Sequence, residues 1–305
     1  MNERSGRSVA FIGLGKMGSP IADHLCAAGV EVRPFDIDPR ALRAFCDRTG
    51  SPSYGSAAEA ADGASIAMTI LPTSASVETA LFGPGGVLQA RTPPPLIVDL
   101  TSGEPGATRA FDARLAERNI AIVDAPVSGG VAKAATGDVA VMVGGDVADV
   151  ERAMWVLEIV GRSVRHIGSL GSGQAMKSLN NLVSAGGLLI AAEAISVAAK
   201  FGLDPERVVD VLNESTGMNN ATKNKFKPFV LSGRFDSGFG LDLMVKDLSI
   251  ALGIARSLDA DTPFSETCLA ICRDIAAELG PGRDHTEVAK VASRRAGFDI
   301  SVSGG

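Results

Sequence analysis

The first half of the chain alternates short apolar runs with amphipathic segments, and each apolar run predicts a strand. The predicted strands are residues 9–12, 31–35, 65–70, 96–99, 120–124 and 139–143, with a seventh at 164–167. Apolar runs of this length between helical periodicities are typical of βα units, which build a parallel sheet covered by helices on both faces. Pro34 lies inside the second run and cannot donate a hydrogen bond, so this strand is expected to end early or to be irregular.

The second half of the chain, after Gly168, has a helical pattern. Residues 171–202 open with Gly171-Ser172-Gly173 and then contain almost no helix breaker. A helix of about 28 residues would span about 42 Å, more than the width of a small domain. We therefore predict an α/β domain at 1–168 with a doubly wound, mainly parallel sheet, followed by an all-α domain at 169–305 that is entered through a long interdomain helix.

Residues 182–199, within that helix, are apolar enough to raise the question of a membrane span. Glu193 interrupts the run, and Gly186 and Gly187 favour close packing against other helices. A buried helix between domains is therefore the favoured interpretation, and no membrane partner is expected.

Composition and charge disfavour several classes of partner. The chain of 305 residues is 46% hydrophobic and has a formal net charge of −6, so it can build two cores but offers no extended basic surface for nucleic acid. The four cysteines show no spacing that builds a metal site, and no metal is expected. Residues 1–7 are polar and lack the apolar core of a signal peptide, so a cytoplasmic location is expected.

The loop after the first predicted strand reads Gly13-Leu14-Gly15-Lys16-Met17-Gly18, and an amphipathic helix follows it. In this pattern Gly13 permits a tight turn, Gly15 lets the backbone approach a pyrophosphate, and Gly18 lets the helix pack closely on the strand. These six residues are therefore predicted to bind a dinucleotide in a Rossmann domain. The alternative is a purely structural turn, which the strand, the helix and a downstream acid make less favourable.

The downstream acid is Asp36, which lies 23 positions after Gly13 at the end of the second predicted strand. A carboxylate at this point accepts hydrogen bonds from the adenosine ribose hydroxyls and repels a 2′-phosphate, so NAD is favoured over NADP. Arg33 and Arg40 are close enough to complicate that preference. The alternative is that Asp36 caps the helix that begins near Pro39, although Asp38 is better placed for this.

Three further loops follow predicted strands, at the sheet edge where open α/β sheets bind ligands. Leu71-Pro72-Thr73 and Thr101-Ser102 could line the nicotinamide half of the cofactor. The third loop, residues 124–130, ends in Ser128-Gly129-Gly130, where a hydroxyl and backbone N–H groups in a small space suit a carboxylate. Each of these segments could equally be a plain turn.

Lys177 and Asn181 lie four positions apart near the start of the long helix, so both project from one face. On an ordinary helix surface a lysine and an amide would be solvated. Here they begin a hydrophobic helix at the junction of two domains, where a ligand cleft is expected.

Four motifs occur in order along the chain: GLGKMG at 13–18, DAPVSGG at 124–130, GSGQAMKSLNN at 171–181 and Lys246-Asp247-Leu248. Together they resemble the β-hydroxyacid dehydrogenase family, the group of 3-hydroxyisobutyrate dehydrogenase and tartronate semialdehyde reductase. The resemblance covers essentially the whole chain, and four ordered motifs are far more specific than any one of them.

The resemblance implies hydride transfer between NAD(P) and the β-carbon of a small 3-hydroxy acid, of the 3-hydroxyisobutyrate, glycerate/tartronate semialdehyde, serine or threonate type. It implies that Lys177 is the acid/base, that Asn181 and Ser128 to Gly130 hold the substrate, and that Lys246 lies beside the nicotinamide. It also implies a homodimer or homotetramer formed through the helical domain.

The implied chemistry agrees with the residue types. A base must take the hydroxyl proton as hydride leaves the same carbon, and a lysine can do so only when neutral. Burial in a closed cleft and the positive nicotinium ring would both lower the pKa of Lys177. In the reductive direction the ammonium would donate its proton to the carbonyl oxygen.

Rival functions remain within this fold. A 6-phosphogluconate dehydrogenase is disfavoured because that branch carries a second acidic residue where this chain has Ser184, and an imine reductase because that branch typically lacks the lysine. A non-catalytic dinucleotide sensor is the rival from another class, although Lys177, Asn181 and Ser128 are all retained.

The residues that select among hydroxy acids are expected in the helical domain. The candidates are Met218, Asn219, Asn220, Phe239 and Met244. The three histidines, His24, His166 and His285, have no local constellation in the sequence and are interpreted as structural.

Overall fold

The structure, a computed structural model, describes residues 7–300. The chain divides into two compact units, the first ending at Lys177 and the second beginning at Ser178. The first unit is an α/β structure and the second is helical. This confirms the predicted fold class of a Rossmann-type sheet followed by an all-α region.

One mainly parallel sheet forms the centre of the first unit. Its strands are β1 Ser8–Ile12, β2 Glu31–Phe35, β3 Ile66–Thr69, β4 Leu96–Asp99, β5 Ala121–Asp124, β6 Val127–Ser128, β7 Ala140–Gly144 and β8 Ser163–Gly168. The strand order is β2-β1-β3-β4-β5-β7-β6, with β8 beside β7. Strand β7 runs antiparallel to β5 and β6, and the other pairs are parallel.

Helices cover both faces of this sheet, because alternate residues of the buried strands point to opposite sides. In β1, Val9 and Phe11 belong to one hydrophobic cluster, while Ala10 and Ile12 belong to another. The helices are α1 Gly18–Ala27, α2 Pro39–Thr49, α3 Ala57–Ala61, α4 Ser74–Phe82, α5 Pro105–Ala116, α6 Gly130–Thr136 and α7 Val147–Val160, with a 3₁₀ turn at Val87–Gln89.

Pro34 does not interrupt the second strand, so the prediction of an early end or irregularity is wrong. Strand β2 continues to Phe35, and Pro34 pairs in register with Phe11. The reason is position: β2 lies at the end of the strand order. An edge strand tolerates a residue that cannot donate to a neighbour.

The second unit is built from helices around its own core. Helix α8, Ser172–Phe201, contains 30 residues, close to the predicted length, and runs across the division between the units. The elements that follow are α9 Pro205–Glu214, a π-helix at Thr222–Leu231, α10 Leu241–Ser257, α11 Pro263–Leu279 and α12 Glu287–Arg295.

Helix α8 is the one helix among residues 7–300 whose length and mean hydropathy of 1.9 would suffice to cross a membrane. Its inner face packs into the core of the second unit through Leu188, Ala192 and Ile195. These buried contacts are those of a core helix in a globular unit.

Candidate active site

The predicted dinucleotide loop lies between β1 and α1 and has the backbone that its glycines allow. Gly13 has φ 106°, in the left-handed region, and a Cβ on Gly18 would come within 2.8 Å of the Ile70 side chain. At Gly15 a Cβ would meet nothing within 4 Å, and Gly15 and Lys16 are exposed. The loop is therefore tight where it meets the sheet and open toward solvent at Gly15, which fits a pyrophosphate on the backbone.

Asp36 is fixed to this loop. Its Oδ2 accepts a hydrogen bond from the Leu14 N–H at 2.6 Å, and its Oδ1 accepts one from the Asp38 N–H at 2.7 Å. Asp38, not Asp36, caps α2 by accepting from the Arg40 N–H. The carboxylate of Asp36 is thus held at the end of β2, beside the glycine loop.

The loops after β3 and β4 are joined by hydrogen bonds. The Leu71 N–H donates to Thr101 Oγ1 at 3.0 Å, and the Glu104 N–H donates to Ser74 Oγ at 2.8 Å. Pro72 lies between these contacts in the chain. Leu71 and Thr101, which were predicted separately, therefore lie together at the carboxyl edge of the sheet.

Two buried carboxylates end β4 and β5, and neither is among the site residues that the sequence predicts. Asp99 and Asp124 are paired in register on neighbouring strands. Burial raises the pKa of Asp99 to about 6, against hydrogen bonds from Thr101 and Thr69 that lower it. Burial also raises the pKa of Asp124 above its usual range. A strand that ends in an aspartate was the signal available in the sequence.

Ser128 ends β6, and Gly129 and Gly130 lead into α6. Both glycines have positive φ, 146° and 73°. A Cβ on Gly129 would come within 2.9 Å of the Lys133 side chain. The half-buried Ser128 hydroxyl and the first backbone N–H groups of α6 therefore come from one short segment, the arrangement expected for a carboxylate-binding loop.

Lys177 lies in the second turn of α8 and is buried, with 9% of its surface exposed. A lysine is almost never buried in this way on an ordinary helix face. The solvated surface position that the spacing alone would favour is therefore wrong for Lys177.

Asn181 lies one turn further along α8 and is held by α10. Its Nδ2 donates to Asp247 Oδ2 at 2.6 Å. The Lys246 ammonium lies 3.1 Å from Asp247 Oδ1, in a geometry that makes an ion pair and not a directed hydrogen bond. Asp247, which is 2% exposed, contacts the predicted site residues Asn181 and Lys246 and is therefore a further residue of the site. The sequence identifies it only as part of the motif Lys246-Asp247-Leu248.

The candidate selectivity residues have different environments. The Asn219 side chain accepts hydrogen bonds from the Ala221 and Thr222 N–H groups, where the π-helix begins. Met244 is buried in the core of the second unit. Phe239 packs its ring edge-on against His285, with centroids 5.3 Å apart, whereas Met218 is exposed.

His285 has polar partners, one of which comes from a distant part of the chain. Its Nδ1 lies 3.1 Å from Ser237 Oγ and 3.5 Å from an Asp284 carboxylate oxygen. Asp284 also accepts from Thr286, so this group fastens residues 237–240 to residues 283–286. Within residues 7–300, no three His, Cys, Asp or Glu side chains are grouped to hold a metal.

Comparison with known proteins identifies the class. Residues 8–168 match the family described as the NAD binding domain of 6-phosphogluconate dehydrogenase. Residues 171–292 match the NAD-binding family of NADP-dependent 3-hydroxyisobutyrate dehydrogenase. The chain is therefore an oxidoreductase that binds NAD or NADP.

Individual relatives identify the family of oxidoreductases to which the chain belongs. The chain is 37% identical to 2-(hydroxymethyl)glutarate dehydrogenase of Eubacterium barkeri, covering 97% of this chain and 98% of that one. It is 36% identical to 3-hydroxyisobutyrate dehydrogenase of Pseudomonas aeruginosa, covering 84% and 88%. The solved Mycobacterium tuberculosis 3-hydroxyisobutyrate dehydrogenase with L-serine has a TM-score of 0.83 at 33% identity, covering 93% and 98%. The chain belongs to the β-hydroxyacid dehydrogenase family.

Imine reductases are more distant. The enzyme from Pseudomonas sp. has a TM-score of 0.59 at 16% identity, covering 92% of this chain and 98% of that one. A likeness at this level reflects the shared fold alone.

Proposed function

We propose that this protein is an NAD-dependent dehydrogenase of a small 3-hydroxy acid, with Lys177 as the acid/base. The observation that carries the proposal is the burial of Lys177 one helical turn before Asn181, whose amide is fixed by Asp247. An imine reductase or a non-catalytic sensor would have no need of a buried lysine at this position.

The residues of the site have separate roles in proton transfer and substrate binding. NAD, when bound, would supply the nicotinamide ring that takes up the hydride. Lys177 takes the hydroxyl proton in the oxidative direction and returns it to the carbonyl oxygen in the reductive direction. Ser128, Gly129 and Gly130 bind the substrate carboxylate, and the Asn181 amide orients the substrate.

The cofactor residues are Gly13 to Gly18, Asp36, Leu71, Pro72, Thr101 and Lys246. The preference for NAD is supported by Asp36, whose fixed carboxylate would repel a 2′-phosphate. The nearby arginines are engaged elsewhere: Arg33 donates to Tyr54 and the Asp62 carbonyl, and Arg40 pairs with Asp38.

Steady-state turnover tests the function. Purified protein is mixed with 3-hydroxyisobutyrate, D-glycerate, L-serine, L-threonate or 2-(hydroxymethyl)glutarate and with NAD or NADP, and the absorbance of the reduced nicotinamide is followed. We expect turnover with at least one hydroxy acid and a kcat/KM at least about 10-fold higher with NAD. Cofactor binding without turnover would favour the sensor, and imine reduction without alcohol oxidation would favour the imine reductase.

We place the domain boundary after residue 168, where the first family match ends, with the second domain at 169–305. A cytoplasmic location without membrane or nucleic-acid partners is supported by the packed inner face of α8 and by the net charge of −6.

We further propose that the protein forms a homodimer or homotetramer through α8. Opposite its buried face the helix exposes Val183, Ile190, Val197 and Phe201, at spacings of seven, seven and four residues. Such a spacing places the four side chains along one stripe of the helix. An exposed apolar stripe on a soluble protein marks an interaction surface, and a second copy offers a matching one.

Light scattering after gel filtration checks the assembly. We expect the wild type to be a dimer or tetramer at micromolar concentration, and the double variant Ile190→Asp/Val197→Asp to become smaller because it places charge in the interface. Val147→Asp, an equally exposed apolar position on α7, is the control and should leave the mass unchanged. A monomeric wild type contradicts the proposal.

A further inference from the structure

The N-terminus of α8 is held by a carboxylate from a distant part of the chain. Asp124, at the end of β5, is fully buried. Its Oδ1 accepts a hydrogen bond from the Gly171 N–H at 2.6 Å, and its Oδ2 accepts one from the Gln174 N–H at 2.7 Å. These N–H groups belong to the start of α8, where a helix has no backbone acceptors of its own and carries partial positive charge.

Two glycines make room for this carboxylate. A Cβ on Gly144 in β7 would overlap Asp124 Oδ1 and would lie 2.8 Å from the Ser172 nitrogen. A Cβ on Gly173 in α8 would overlap the Met142 carbonyl oxygen of β7 and would lie 2.9 Å from Asp124 Oδ2. The end of β7 and the first turn of α8 therefore pack closely together around Asp124, and a side chain at either glycine would force them apart.

Gln174 joins the same helix turn to the neighbouring strand. Its Nε2 donates to Asp99 Oδ2 at 3.1 Å, and its Oε1 accepts from Thr108 Oγ1 at 2.8 Å. Gln174 is 1% exposed, so its backbone and side chain are both fixed in the interior. Lys177 follows three positions later, on the same side of the helix.

We propose that Asp124 is a positioning residue, which fixes the first turn of α8 against the ends of β5 and β7 and thereby sets the place of Lys177. The inference rests on the proposed acid/base function of Lys177. A helix is stiff over one turn, so a shift of its first turn is passed on to Lys177. A misplacement of about 1 Å at a reacting group costs about 100-fold in rate.

Asp124→Asn is the primary test. Asparagine has the same shape, but its amide nitrogen must face one of the two N–H donors, so one hydrogen bond is lost. With the best hydroxy acid of the panel, kcat should fall about 10- to 100-fold, while KM for that acid and Kd for NAD stay within about 2-fold. The kinetic isotope effect with substrate deuterated at the hydroxyl-bearing carbon should rise, because the chemical step becomes slower.

Gly144→Ala is the second variant, because its Cβ would crowd Asp124 Oδ1 and the backbone nitrogens of Ser172 and Gly173 without removing the charge of Asp124. It should reproduce the fall in kcat, and an unchanged kcat in this variant would contradict the inference if Asp124→Asn does not fold. Asp146→Ala is the control: Asp146 caps α7 by accepting from the Ala148 N–H, so its loss should lower stability and leave kcat unchanged.

A folded Asp124→Asn enzyme with lower stability but unchanged kcat and isotope effect would overturn the inference. A large increase in Kd for NAD would overturn it also, because the residue would then act on the cofactor. Lys177→Met, assayed in parallel, separates the two proposals. If that variant keeps wild-type turnover, the proposed function fails; if it is inactive while Asp124→Asn is unimpaired, only the positioning role fails.

Discussion

Replacing Lys177 with methionine is expected to lower kcat by about 10²- to 10⁴-fold, the usual effect of removing a general acid/base. Methionine keeps an unbranched side chain at this buried position but has no group that exchanges a proton. Binding of NAD should persist, because Gly13 to Gly18 and Asp36 lie in the first 36 residues, far from Lys177 in the sequence, and retain their contacts. Stopped-flow absorbance of the reduced nicotinamide measures kcat, and fluorescence titration measures the Kd of the cofactor.

Lys200→Met is the matched control, because Lys200 lies in the last turn of the same helix. It donates to the Ala296 carbonyl at 3.0 Å, well along α8 from Lys177. This variant should keep wild-type turnover. Equal turnover in both variants would remove Lys177 from the mechanism and leave the dinucleotide site without an assigned base.

Most of the strands could be predicted because they are short, apolar, largely β-branched runs, and such runs are recognisable from the local sequence alone. Two features of the sheet could not be predicted from the sequence. Val127–Ser128 forms a two-residue strand only because Val127 pairs with Val141 in an antiparallel strand. The chain could also not reveal that Pro34 belongs to an edge strand, because strand order is a property of the whole sheet.

The ten-residue π-helix at Thr222–Leu231 is the clearest departure from the sequence pattern in the second unit. The periodicity predicts only a helical stretch there. Pro228 lies inside the segment and cannot donate a backbone hydrogen bond. Where the segment begins, Asn219 accepts from the N–H groups of Ala221 and Thr222.

The site residues that form local motifs were accessible from the sequence, whereas those joined by tertiary contacts were not. Gly13 and Asp36 are linked by the known geometry of a βαβ unit. By contrast, Gln174 meets Asp99 across a separation of 75 residues. Asp247 holds Asn181 across 66 residues. Composition and periodicity carry no information about such pairs. A charged residue at the end of an apolar strand nevertheless indicates a buried side chain that needs a partner.

Asp99 should make the protein less stable as pH rises through the range of about 4 to 6. Burial raises its pKa from 3.8 to about 6, so the folded protein holds the proton more tightly than the unfolded chain does. Stability from this group is therefore fully present below pH 4 and is lost as pH rises through 6. The shift corresponds to about 3 kcal/mol in total, of which about 2 kcal/mol falls between pH 4.5 and 8.

Asp99→Asn should remove this dependence because the amide does not titrate. Its Oδ1 can still accept from Thr69 and from the Thr101 N–H, as the carboxylate does. Gln174 can rotate its amide so that Oε1 accepts from the new Nδ2 and Nε2 donates to Thr108. The variant is therefore expected to fold. Its free energy of unfolding relative to that of the wild type should be higher at pH 8 than at pH 4.5.

Urea unfolding of wild type and Asp99→Asn at pH 4.5 and pH 8 measures the effect. The difference in unfolding free energy between the two proteins is compared at the two pH values, so contributions common to both proteins cancel. Asp284→Asn supplies a contrast of opposite sign when unfolding is also measured at about pH 3. Despite partial burial, hydrogen bonds from His285, Thr286 and Ser237 hold the pKa of Asp284 well below its usual range. Its stabilising contribution is present above the pKa of the unfolded chain and is lost as pH falls. Parallel pH curves for wild type and Asp99→Asn would mean that the network around Gln174 keeps Asp99 ionised in the folded protein, with its charge fully stabilised by Thr69, Thr101 and Gln174.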